Sequence, residues 1–168
     1  VVIISSVEAD DVIGTISRAA VLEGMLVLIA TGDKDMLQLV SSNISILDAQ
    51  NSILDEEGVV RKIGIRADQL VDYLTIVGDK VDNVKGIRGV GVRTAVKLLN
   101  KYNDLDTIVS CRSEVGKVLK ENISFSLSYL YLTKTLVTIR TDVVLPFRLF
   151  SIRRFPIDHL ILLFLYYK

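Results

Sequence analysis

Short apolar runs and stretches of helical spacing alternate along the first fifty residues. VVIIS (1–5), MLVLIAT (25–31) and ISILDA (44–49) are nearly unbroken in hydrophobic residues, the pattern of strands buried on both faces. Between the first two, EADDVIGTISRAAVLEG sets Val12, Ile13, Ile16, Ala19, Ala20 and Leu22 at helical intervals and ends at Gly24. DMLQLV (35–40) predicts a short helix before the third run. This order implies an α/β fold, a parallel sheet covered by helices. After about residue 66, ADQLVDYLTIVG, RTAVKLLNKY, SEVGKVLKEN and SLSYLYLTKTL all read as helices with short polar or glycine-rich links. LVTIRTDVVL (136–145) is predicted to return as a strand and residues 157–167 to close with a core helix. The organisation expected is therefore an α/β core over 1–66, a helical region over 67–135, and a return strand with a C-terminal helix over 136–168.

Composition sharpens this division. The formal net charge is zero, but residues 1–60 hold ten acids against two bases, a balance of −8, and residues 61–168 hold ten acids against eighteen bases, a balance of +8. Two kinds of site are implied. Cys111 is the only cysteine, which excludes a disulfide within the chain and, with no charged leader, predicts an intracellular protein. The apolar run LILLFLYY (160–167) is too short to span a bilayer, so no membrane association is expected. VVIISS opens in the middle of a predicted strand, which leads us to expect a segment upstream.

The acids fall at particular places on this skeleton. Glu8, Asp10 and Asp11 follow the first predicted strand, and Asp33 and Asp35 in TGDKDMLQLV follow the second. Ligands of open parallel sheets bind at the carboxyl ends of strands, so these five are candidates to converge. Helix capping alone would also place acids at such positions. Converging carboxylates would repel one another unless cations neutralised them, and an all-oxygen set suits Mg²⁺ or Mn²⁺ better than zinc. Asp79 and Asp82 in GDKVDN, three residues apart at the end of a predicted helix, add a third pair. Seven acids exceed the needs of one magnesium and suggest two ions about 4 Å apart, as in phosphodiester hydrolysis.

Directly after that pair comes VKGIRGVGVRTAVKLLNKY (84–102), in which Gly86, Gly89 and Gly91 make a tight loop before a helix. Backbone N–H groups at such a junction suit a phosphate. Between residues 80 and 101 lie Lys80, Lys85, Arg88, Arg93, Lys97 and Lys101, with Asp82 the only acid. A glycine turn ringed by cations points to sequence-independent contact with a nucleic-acid backbone, against the simpler reading of a structural turn.

VEADDVIGTI, ATGDKDMLQLV, LVDYLTIVGDKVDNVKGIRGVGVRTAVKLL and LVTIRTDVVL, in this order and spacing, resemble successive blocks of the 5′-nuclease family. The likeness is specifically to the flap endonuclease-like 5′→3′ exonuclease domain of bacterial polymerase I-type enzymes, and it runs from about residue 3 to residue 146. It implies a PIN-like nuclease core joined to a helix-three-turn-helix region that binds DNA, and cleavage of 5′ ends and flaps of nicked or branched DNA in replication and repair. Glu8, Asp10, Asp11, Asp33, Asp35, Asp79 and Asp82 fall on the family's metal positions, with Asp33 and Asp35 between two ions as the catalytic pair. Lys85, Gly86, Arg88, Gly89, Gly91, Arg93, Thr94 and Lys97 fall on its DNA-binding hairpin, which in relatives also holds K⁺ through backbone carbonyls.

The sequence also departs from the family. Lys85 and Arg88 stand where relatives often carry proline, and Ser6 where glycine is common. The family's first aspartate-bearing strand and basic arch have no counterpart before Val1, so the core is expected to be N-terminally incomplete, completed by a missing segment or accompanied by a polymerase domain. The alternative is an inactive remnant that retains only DNA binding. Lys34 is expected to compensate local charge, and His159, Tyr129, Tyr131, Tyr166 and Tyr167 to be structural.

Overall fold

The helical spacing after Glu8 is realised as a helix whose inner face buries Val12, Ile13, Ile16 and Ala20. In chain order the elements are α1 (Ala9–Leu22), β1 (Leu26–Ala30), a 3₁₀ helix (Lys34–Leu39), β2 (Ile44–Leu47), β3 (Ile53–Leu54), α2 (Glu56–Ile63), a second 3₁₀ turn (Ala67–Gln69), α3 (Leu70–Val77), β4 (Gly78–Asp79), β5 (Val84–Lys85), α4 (Val92–Tyr102), α5 (Leu105–Ser110), α6 (Lys117–Val137) and β6 (Leu160–Phe164). The computed structural model describes residues 2, 4–80, 82–146 and 160–164. They divide into two units, Val1–Val59 with Ile139–Lys168, and Val60–Thr138.

In the first unit, β1 is parallel to both neighbours, with Val27 opposite Ile44 of β2 and Leu26 opposite Leu160 of β6. Val27 and Ile29 are almost wholly buried, whereas Leu26 is exposed and Leu28 and Ala30 are half-buried, so one face of β1 is covered far more completely than the other, and the burial expected on both faces is not met. Met36 and Leu37 anchor the first 3₁₀ helix in the same core. Asp48 Oδ1 accepts the N–H groups of Gln50 and Ser52, turning the chain into β3, which closes the sheet antiparallel to β2. The sheet order is β3-β2-β1-β6.

Several expectations are revised. Of the predicted strand at 1–5, Val1 and Ile3 lie outside the described residues, while Val2 and Ile4 join no strand and Ser5 begins a turn. Ser6 takes a φ of 62°, a region that favours glycine. The helix predicted over 157–167 is contradicted at Leu160–Phe164, which is a strand on β1; residues 157–159 and 165–167 lie outside the described residues. A short apolar run cannot be told from a buried helix by its period, and the edge of β1 offers ladder partners that only a strand can use. The return strand predicted at 136–145 is absent: α6 continues to Val137, and 138–146 is irregular. The two helices expected within 113–136 are joined as α6, because Ile123, Ser126, Leu130 and Thr133 keep one buried face across the supposed break.

The second unit is helical. α3 packs on α4 and α6 through Leu70, Leu74 and Ile76. Gln69 is buried and donates to the carbonyls of Leu99 and Asn103, satisfying the C-terminal end of α4. Asp72, also buried, accepts the Leu105 N–H at 2.9 Å and pairs with Lys134 Nζ at 2.8 Å, so one carboxylate joins α3, α5 and α6. No described helix is long and apolar enough to cross a membrane.

Asp72→Ala leaves the Leu105 N–H buried without its acceptor, whereas Lys134, a third exposed, can turn to water. The expected cost is about 2–3 kcal/mol, read by urea denaturation. At the start of α5, Asp104 accepts the Thr107 N–H at 2.7 Å, which holds its carboxyl below the usual 3.8. A lowered value means that this stabilisation is complete above pH 3.8 and fades as the pH falls below it. Asp104→Asn keeps the cap acceptor, so the loss of stability between pH 6 and pH 3 is expected to be smaller in the variant.

Candidate functional site

In the first unit the acids sit at two element starts. Glu8 is the N-cap of α1 without a side-chain cap bond, and Asp10 and Asp11 fall in the first turn, where the helix dipole favours negative charge. Thr31 extends the parallel ladder one residue past β1, its N–H bonding Leu47 O at 3.0 Å. Thr31 Oγ1 then accepts the Asp33 N–H, and Asp33 Oδ1 accepts the Asp35 N–H at 2.9 Å. The capping role is thus real for Asp33. It occupies one lone pair of an exposed carboxylate that has about four.

The donor chemistry fits a hard divalent cation. Among the described residues no group of three or more His, Cys, Asp or Glu side chains is placed so that it could hold a metal ion. Mg²⁺ does not need such a group, since it keeps several waters and binds through one or two carboxylates together with substrate phosphate oxygens.

The second unit presents Asp79 and Asp82 in a turn, not on a helix. α3 ends at Val77, Gly78 takes a φ of 73°, and β4 pairs antiparallel with β5. The Asp82 N–H bonds Asp79 Oδ1 at 3.4 Å across that turn. The chain then passes so close to the end of α3 that a Cβ at Gly86 would collide with Ile76 O and with the Val77 carbonyl group. The Ile87 N–H bonds Ile76 O, and the buried side chains of Ile87 and Val90 pin the loop from inside. Arg88, Gly89 and Gly91 face solvent. Gly91 is the N-cap of α4 with no side-chain cap, and the first turn of α4 holds no acid.

α4 separates its chemistry cleanly. Ala95, Leu98, Leu99 and Tyr102 are buried, while Arg93, Lys97 and Lys101, four residues apart, form an exposed basic ridge. Lys80, Lys85 and Arg88 are also exposed, Gly86 and Thr94 half-buried. All the residues predicted to bind DNA therefore belong to one loop and the helix after it.

Two residues that support this loop escape a sequence reading. Tyr129 Oη donates to Gly86 O at 3.0 Å, and Thr133 Oγ1 donates to Lys85 O at 2.9 Å. Their signal is faint: hydroxyls four residues apart on the inner face of α6. Tyr129 is thus a polar prop, more than the packing residue expected. Tyr131 Oη donates to Asp106 Oδ1 at 2.7 Å, and that bond raises its pKa. Tyr166, Tyr167 and His159 lie outside the described residues.

Comparison with known proteins covers both units. Residues 1–64 match a family model described as the N-terminal resolvase-like domain of 5′-3′ exonuclease, and residues 65–159 match its C-terminal SAM fold. The chain is 38% identical over 151 residues to DNA polymerase I of Pseudomonas aeruginosa, covering 84% of this chain and 16% of that protein. It is 39% identical over 147 residues to the flap endonuclease Xni of Colwellia psychrerythraea, covering 87% of this chain and 50% of that protein. The chain thus spans half or less of these relatives. Among solved structures, the T5 5′-exonuclease with bound zinc superposes with a TM-score of 0.75 at 21% identity, over 82% of this chain and 52% of that one. A T5 flap endonuclease in complex with DNA and metal ions matches with a TM-score of 0.75 at 20% identity, over 82% and 52%. At such identities the likeness bears on fold alone, and it agrees with the α/β core and helical region read from the sequence.

Gly86→Ala is expected to destabilise the helical unit by about 2–4 kcal/mol, because backbone and not a flexible side chain blocks the added methyl. Gly91→Ala, where an added Cβ meets nothing within 4 Å, is expected to stay within about 0.5 kcal/mol of the parent in the same denaturation experiment.

Proposed function

The chain belongs to the 5′-3′ exonuclease family, and on that premise we propose that it hydrolyses phosphodiesters at 5′ ends and 5′ flaps of nicked or branched DNA, using two Mg²⁺ or Mn²⁺ ions. The observation that carries this reading is the pairing, within one chain, of carboxylates at the end of a buried parallel strand with an exposed basic hairpin. Glu8, Asp10, Asp33 and Asp35 in the first unit, and Asp79 and Asp82 in the second, are the proposed ligand residues. When bound, the ions supply an activated water and a Lewis acid for the scissile phosphate.

The protein's own part is orientation and charge. Asp33 is held in place through the Asp35 N–H and Thr31 Oγ1, so its remaining lone pairs meet an ion without a rotamer search. Backbone N–H groups at Gly91 and the start of α4, with Lys85, Arg88, Arg93 and Lys97, take the DNA backbone, while Tyr129 and Thr133 keep the loop in shape. In a longer parent protein, a preceding nuclease segment or a polymerase domain is the proposed companion.

A flap-cleavage assay in Mg²⁺ tests the reading. Asp33→Asn and Asp35→Asn are each expected to lower the cleavage rate by about 10²-fold or more while flap DNA still binds. Arg93→Ala and Lys97→Ala are expected to weaken DNA binding regardless of sequence and to reduce the salt slope by about 1 each. DNA bound but not cut by the unaltered chain in Mg²⁺ or Mn²⁺ would support the inactive remnant instead.

A further inference from the structure

The segment after α6 was expected to form a strand, and it carries no ladder. Its backbone is held instead by side chains from two acid-bearing elements. The Ile139 N–H bonds Gln38 Oε1 of the first 3₁₀ helix at 3.0 Å, the Arg140 N–H bonds Asp11 Oδ1 of α1 at 2.7 Å, and the Val143 N–H bonds Thr15 Oγ1 of α1 at 3.1 Å. Thr15 spends its own proton on the Asp11 carbonyl, leaving a lone pair for Val143. Arg18 adds a bond from Nη1 to Thr141 Oγ1 at 3.0 Å. Ile139 and Val143 are buried, so amides in this strap need partners.

The fit is close at Gly14. A Cβ there would lie 2.7 Å from Ile139 Cγ2 and 3.0 Å from Arg140 O, so only glycine lets the strap lie across α1.

We propose that Asp11 is a positioning residue that fastens the 139–143 strap to α1, and not a metal ligand. Through Gln38 at the strap's other attachment, it locks the start of α1 to the 3₁₀ helix, and so fixes where Asp10 is held relative to Asp33 and Asp35. Neighbouring residues on a helix point about 100° apart, so Asp11 turned to the strap leaves Asp10 to face another way. The bond to Arg140 is short and charge-assisted, and it aims the Asp11 carboxylate at the strap. Arg140's guanidinium bonds Asp142, so only its backbone binds Asp11. This inference rests on the metal-dependent reading above.

Mn²⁺ titration by calorimetry and amide hydrogen exchange, both without DNA, separate the two. Asp11→Asn retains an acceptor for the Arg140 N–H, and is expected to keep Mn²⁺ affinity within about twofold and the Arg140 amide protected. Asp11→Ala is expected to speed exchange at Arg140 by roughly fivefold or more. Asp10→Asn is expected to weaken Mn²⁺ binding by about tenfold or more with strap exchange unchanged. If Asp11→Asn loses Mn²⁺ as severely as Asp10→Asn, Asp11 is a ligand and the proposal fails. Unchanged Arg140 exchange in Asp11→Ala overturns the strap. If neither Asp10→Asn nor Asp33→Asn affects Mn²⁺, the metal reading itself is wrong.

Discussion

Burial of β1 is the constraint on which the first unit depends. Val27 and Ile29 are all but inaccessible, and hydrogen-bonded strands flank Leu26–Ala30 on both sides. A parallel strand in that position can neither slip by one residue nor turn over without moving its apolar set out of the core. Its end is therefore fixed, and so is where the chain must emerge. The emerging residues are Thr31 to Asp35, whose hydrogen bonds hold Asp33 and Asp35 within a turn of the sheet edge. Charges that a buried strand could not carry appear at the first point where solvent allows them.

The helical unit depends on a different constraint, the absence of side chains at two points. Gly78 takes a positive φ, and a Cβ on it would strike the backbone of Gly86. That mutual clearance lets the chain double back on the end of α3 and present Arg88, Gly89 and Gly91 outward. Apolar anchors at Ile87 and Val90 on one side, and the hydroxyls of Tyr129 and Thr133 on the other, hold the loop. Such a loop is ordered in advance, so less ordering entropy would oppose the phosphate binding proposed for it.

The two units also show how side chains replace regular structure. Asp72 ties three helices together with one carboxylate, Gln69 finishes α4, and Asp11, Thr15 and Gln38 stand in for a missing β ladder. Each is a polar group placed where an unpaired buried amide or carbonyl would cost more than a weak surface contact returns. Acids that look interchangeable in sequence thus differ in reach: Asp11 and Asp72 accept amides from distant segments, whereas Asp33 caps its own turn.

Much of the fold was legible in the chain. Apolar runs set β1 and β2, helical spacing set α1, α3 and α4, and the charge split separated an acidic unit from a basic one, because these depend on patterns a few residues long. The candidate acids and the basic hairpin were legible for the same reason. Tertiary structure decided what depended on distant partners. LILLF became a strand because β1 had an edge to pair, and residues 138–146 lost their strand because side chains from α1 took their amides. Asp79 and Asp82 left the helix they seemed to end because Gly78 and Gly86 could meet. Local sequence states which conformations a segment tolerates; a hydrogen-bonding partner a hundred residues away selects among them.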